Sequence, residues 1–148
     1  MTIRQKVEDT FNIVEVIGWR REEFEDIHKI IEQTCKDYNV DIIYADASSI
    51  GENQRLEARG LRVIPVKFQT EKPAMQAKLK ATFHQKKIRI SDDEIELLNQ
   101  LRKYNWNTHE NDDRVDSLMM CIKEEDEAST DLVWKVLSPN KKPIASVF

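Results

Sequence analysis

Carboxylates are the residues of this 148-residue sequence whose types and spacing could do chemistry. Asp46 closes the apolar run "DIIYAD" just before "ASSIGEN", a Ser/Gly turn. Asp112, Asp113 and Asp116 crowd the start of "NDDRVDSLMMCI". Positions 113 and 116 are three apart, so both project towards one side of a first helical turn. Each feature also has an ordinary explanation. An aspartate caps turns, and acids collect at helix starts because the macrodipole favours anions there. Three carboxylates within residues 112–116 nevertheless repel one another unless a cation or nearby lysines compensate. Joined to a strand-end aspartate, they make an oxygen-donor set suited to Mg²⁺ or Mn²⁺. Two such ions about 4 Å apart activate a water and stabilise the leaving oxygen of a phosphodiester.

Other chemistries find no support. The sequence has no phosphate-binding G-x-x-x-x-G-K-[ST] loop, no G-x-G-x-x-G, no C-x-x-C and no G-x-S-x-G. Its two cysteines and three histidines show no zinc-ligand spacing. His84 and His109 read as surface residues. Cys35 and Cys121 fall on apolar helix faces, which suits reduced core thiols and a cytoplasmic setting. The length suits one domain with a core of its own. No apolar run approaches the roughly 20 residues needed to span a bilayer, and the polar N-terminus does not resemble a signal peptide.

The net charge of −4 gives no global case for nucleic acid, but its distribution is uneven. Lys72, Lys78, Lys80, Lys86, Lys87 and Arg89 follow one another with no acid between them. Residues 110–131 carry nine acids against Arg114 and Lys123. That arrangement fits a phosphate track beside a metal site, or simply the solvated faces of surface helices.

These residues need elements to position them. "FNIVEVIGW" (11–19) alternates as a strand. Phe24, Ile27, Ile30, Ile31, Cys35 and Tyr38 give a helix over 23–38. Residues 39–46 form a buried strand of the parallel type, and 51–60 a short helix closed by glycine. "LRVIPVKF" (61–68) is a strand in which Pro65 points to an edge or bulge. A basic helix over 72–85 carries Met75, Leu79 and Phe83 on one face. After a brief strand at 87–90, Ser91 and Glu94 form a capping box for a helix with Ile95, Leu98, Leu101 and Tyr104. "WNTHEN" is a loop, and Asn111 or Asp112 caps a last helix with Val115, Leu118, Met119 and Ile122 inside. Residues 129–148 form a tail that fits a strand, a helix or a docked arm. Trp19, Trp106 and Trp134 suit core or interface positions. The alternation predicts a single α/β domain over 1–148, a central mixed sheet with helices on both faces.

In this order, "YADASSIGEN", "VIPVKFQTEKPAMQAKLKATFHQKKIRI", "DDEIELLNQLRKY" and "NDDRVDSLMMCI" resemble the C-terminal nuclease domain of the large terminase subunit of tailed phages. The resemblance spans residues 11 to 122. It implies an RNase H-like fold, and cleavage of double-stranded viral DNA with two Mg²⁺ or Mn²⁺ ions. Asp46 matches the family's second catalytic acid. Asp113 and Asp116 match its metal-binding helix positions, with Asp112 as the alternate in the doublet. Lys72 and Lys78, and beyond them Lys80, Lys86 and Lys87, fall where the family's basic segment meets the DNA backbone.

The family's first catalytic aspartate lies on an opening strand about one hairpin ahead of 11–19, and the sequence starts too late to include it. Neither Asp9 nor Glu15 matches its pattern. The expectation is therefore a domain N-terminally truncated relative to the family, without the packaging ATPase. Its first strand would come from a second copy or another packaging subunit, or else cleavage is lost. Three readings follow: a metal-dependent endonuclease with a substitute acid such as Glu15, a degenerate module that binds DNA or packaging proteins, and an unrelated α/β protein whose acids cap a turn and a helix.

Overall fold

The computed structural model describes residues 1–18, 24–104, 113–123 and 144–147. Its first element is a hairpin concealed by polar residues. Strand β1 (Thr2–Val7) turns at Glu8, in the left-handed region with φ 53°, and returns antiparallel as β2 (Thr10–Val16). The strand expected over 11–19 is β2, and β1 precedes it. Helix α1 (Phe24–Asp37) follows, burying Ile27, Ile31 and Cys35 at the expected spacing. Then come β3 (Ile42–Asp46), α2 (Ile50–Ala58) and β4 (Val63–Val66). Gly60, at φ +81°, closes the turn after α2.

Helix α3 (Phe68–His84) begins one turn earlier than its composition suggests, and Pro73 lies inside it. The start is fixed locally: Glu71 Oε1 accepts the Lys67 backbone N–H (3.0 Å), satisfying a donor at the helix entrance. The inner stripe is Phe68, Met75, Leu79 and Thr82; Phe83, expected inside, is 39% exposed. Four-residue steps overshoot the 3.6-residue turn, so the stripe moves to Thr82.

Strand β5 (Ile88–Ile90) leads to α4 (Ile95–Lys103). The expected capping box does not form. Ser91 bonds Asp93, and Glu94 Oε1 instead accepts the Val16 N–H of β2 (3.1 Å), fastening the start of α4 to the sheet. Helix α5 (Asp113–Cys121) buries Val115, Leu118 and Met119, and Ile122 just past its end is buried with them. Strand β6 (Ile144–Val147) comes from the tail. The loop over 106–111, the three tryptophans and the acidic stretch over 124–130 lie outside the described residues.

The six strands run in the order β4-β3-β6-β1-β2-β5. β3 is parallel to β4 and β6, and β2 is parallel to β5; β1 is antiparallel to both of its neighbours. Pro65 therefore sits on an edge strand, as its missing N–H requires. β6 fills the slot between β1 and β3, so the place beside the hairpin is taken by the chain's own tail. Side chains alternate across the sheet. Ile42 and Tyr44 join the core under α3, α4 and α5, whereas Ile43 and Ala45 pack with Ile27, Ile31 and Leu56 of α1 and α2.

Candidate functional site

At its carboxyl end β3 runs directly into a tight turn. The Asp46 carbonyl accepts the Ser49 N–H (3.1 Å) and the side-chain amide of buried Asn53 (2.9 Å). Asp46 Oδ1 accepts the Ser48 N–H (2.8 Å). The carboxylate thus caps its own turn, which also fixes its orientation. By alternation from Ile42 and Tyr44, Asp46 belongs to the sheet face covered by α3 and α5.

Helix α5 is anchored at both ends on that face. At its start, the Arg114 N–H donates to Gln100 Oε1 (3.0 Å), while the guanidinium reaches the Val16 carbonyl and pairs with Glu96. Gly18 leaves room for this: a Cβ there would stand 2.5 Å from Arg114 Nη2. At its end, buried Arg4 of β1 donates to the carbonyls of Cys121 and Lys123, placing a cation where the dipole is negative. The Arg4 guanidinium also covers the Phe11 ring, 4.8 Å from its centroid. From β6, the Ser146 hydroxyl donates to the Ser117 carbonyl (2.6 Å), and the two hydroxyls lie 3.0 Å apart.

This frame presents Asp113 exposed and Asp116 half-buried, both in the first turn of α5. Lys72 Nζ lies 2.9 Å from Asp116 Oδ1 and 3.1 Å from Oδ2. Lys72 reaches it because it belongs to the inner stripe of α3, between Phe68 and Met75, with its ammonium 5.1 Å from the Phe68 ring centroid. Next to it, Lys123 pairs with Glu71 (2.5 Å). Burial raises the Glu71 pKa, but hydrogen bonds from Lys123 and the Lys67 amide outweigh it and leave the carboxyl below its ordinary value.

The remaining sequence candidates are dispersed. Asp112 lies outside the described residues. Lys78 is half-buried on α3, Lys80 and Lys86 are exposed, and Lys87 pairs with Asp9 (3.1 Å). Glu15 accepts the Tyr38 hydroxyl (2.5 Å). Among the described residues no group of three or more His, Cys, Asp or Glu could hold a metal ion. Sequence reasoning overlooked Asn53, Ser117 and Ser146, which fix the turn and the helix. Asn53 alone left a signal: it lies three residues before Leu56 on the buried side of a polar helix.

A mixed sheet covered by helices on both faces, with an acid at a central strand's carboxyl end and others on the adjacent helix, defines an α/β domain of the RNase H-like type. The terminase RNase H-like domain family matches residues 1–125, and the chain belongs to that family. Strand β6 lies beyond the matched span. No curated protein and no solved structure is a match to the chain. Among the described residues no helix is long and apolar enough to cross a membrane.

Proposed function

We propose that this domain is a metal-dependent DNA endonuclease of the terminase kind, acting on double-stranded DNA in the cytoplasm of a host cell. What supports this reading is that Asp46 closes β3, whose alternation assigns it to the face covered by α5, and that Asp116 lies on α5. With Asp113 they supply hard oxygen donors from two elements, the kind Mg²⁺ or Mn²⁺ takes. Among the described residues these carboxylates do not gather into a group that could hold an ion, so loading a metal would require Lys72 to release Asp116 and the acids to draw together.

Bound there, the metal would supply water activation and charge stabilisation for phosphodiester hydrolysis. The chain's own residues do the rest. The Ser48 N–H aims the Asp46 carboxylate, and Asn53 holds the turn beneath it. Lys72 offsets the charge of Asp116 when no metal is there. Lys78, Lys80, Lys86 and Lys87 lie along α3 and its exit, where they would neutralise backbone phosphates without reading sequence.

The Lys72–Asp116 pair also favours a second reading, in which the fold binds DNA or a packaging subunit without cutting. Nicking of supercoiled plasmid in Mn²⁺ separates the two, with Asp46→Asn as the control. Nicking lost only in the variant supports the nuclease. No nicking by either protein, with plasmid still retained in a gel shift, supports the binding module.

A further inference from the structure

The far edge of the sheet carries a feature that the acidic face does not use. Strand β5 is the terminal strand, and among the described residues nothing pairs with its outer edge. Helices α3 and α4 part above it, leaving an open groove of about 670 Å³. Phe83, Ile90, Leu98 and Leu101 form its apolar floor, and Lys80, His84 and Arg102 its polar rim. Phe83 has left the inner stripe of α3 and is 39% exposed, a large aromatic kept at a surface. On the same α4, Ile95 is 63% exposed.

An open strand edge beside an apolar groove is the geometry for strand addition. The backbone ladder supplies affinity, and alternate side chains of the incoming strand enter the groove. The rim sets the charge of the occupant. The cations Lys80 and Arg102 oppose a basic segment and favour an acidic one. The floor separates a peptide from a nucleic acid: phosphates would meet cations only at the rim, whereas Phe83, Leu98 and Leu101 need apolar side chains to cover them. We propose that the β5 edge and the α3–α4 groove form a docking site for an extended acidic segment of a partner protein, with Leu or Phe at alternate positions. The site is separate from the Asp46–Asp116 face, shares only Lys80 with the proposed DNA track, and goes beyond the nuclease reading.

The test is fluorescence anisotropy with a labelled short peptide alternating Leu or Phe with Asp or Glu. Its lysine-substituted counterpart and a DNA duplex are the comparison probes. The acidic peptide is expected to bind, with affinity falling as salt rises. Phe83→Ser and Arg102→Glu should each weaken it by about tenfold, with the thermal midpoint unchanged. Asp46→Asn should bind the peptide as the parent does, which keeps this result apart from the fate of the nuclease reading. Absent peptide binding, equal affinity in the Phe83 variant, or a groove that takes duplex DNA in preference to the peptide would each overturn the proposal.

Discussion

Lys72 Nζ stands 2.9 Å from Asp116 Oδ1, with both side chains largely withdrawn from solvent. The pair neutralises the inner acid of α5 and ties that helix to α3. Removing one partner weakens the compensation of a charge in a poorly solvated place, so Lys72→Met should cost about 2 kcal/mol in urea unfolding. Asp116→Asn should cost a similar amount. The metal reading adds a sign. A divalent ion that binds only the folded protein stabilises it by mass action. Saturating Mn²⁺ should therefore restore more stability to Lys72→Met than it adds to the parent protein. Equal effects of Mn²⁺ on the two proteins would mean that Asp116 is a structural partner of Lys72 and no metal ligand.

Glu71 gives the fold a pH dependence of known direction. Burial works against its charge, but Lys123 and the Lys67 amide win, and its folded pKa lies below the ordinary 4.5. A depressed carboxyl contributes stability that is complete above the unfolded value and is lost as pH falls through the folded one. Stability should therefore decline on acidification from about pH 5 to about pH 3, and Glu71→Gln should flatten that part of the curve. Urea titrations of both proteins across this window check it; parallel curves would remove Glu71 as a source.

The thiols are built to be inert. Burial pushes Cys35 up to about 12 and Cys121 up to about 11, the latter against the opposing pull of the Arg4 cation. Neither forms a disulfide, and both are buried. The thiolate is the reactive species, so neither cysteine should react with Ellman's reagent in the folded protein at about pH 8. Both should react fully in urea. Fast labelling of one thiol in the native state would show local opening of its helix, α1 for Cys35 or α5 for Cys121.

Periodicity made the helices and the parallel strands legible, along with the strand-end position of Asp46. The part it concealed depends on contacts distant in sequence. β1 was hidden because its inward residues include Thr2 and Arg4, and Arg4 is buried only because α5 ends above it. β6 is four residues long, and its extended pairing depends on the slot between β1 and β3. Glu94 looked like half of a capping box because the spacing to Ser91 is right, yet its carboxylate goes to Val16 across the chain. The Lys72–Asp116 pair was hidden because Phe68 reads as a strand end; only with α3 starting at Phe68 does Lys72 fall on its inner stripe, within reach of α5.

Strand β6 braces the acidic helix through Ser146. Ser146 lies opposite Tyr44 in the ladder with β3, its hydroxyl donates to the Ser117 carbonyl, and both serines are buried. β6 is also the only strand of the described sheet that joins the β3–β4 half to the β1–β2–β5 half. Ser146→Ala should thus cost about 1 kcal/mol, by removing the hydroxyl that donates to the Ser117 carbonyl, while the Ser117 hydroxyl keeps the Ser146 backbone carbonyl as its acceptor. In a double-mutant cycle, Ser117→Ala should add much less once Ser146 is gone, because the two serve one network. Hydrogen exchange should report the loss in the amides of α5 and β3 before those of α1. Additive costs, or exchange rising evenly over the whole domain, would mean that β6 stabilises the fold without setting the position of Asp116.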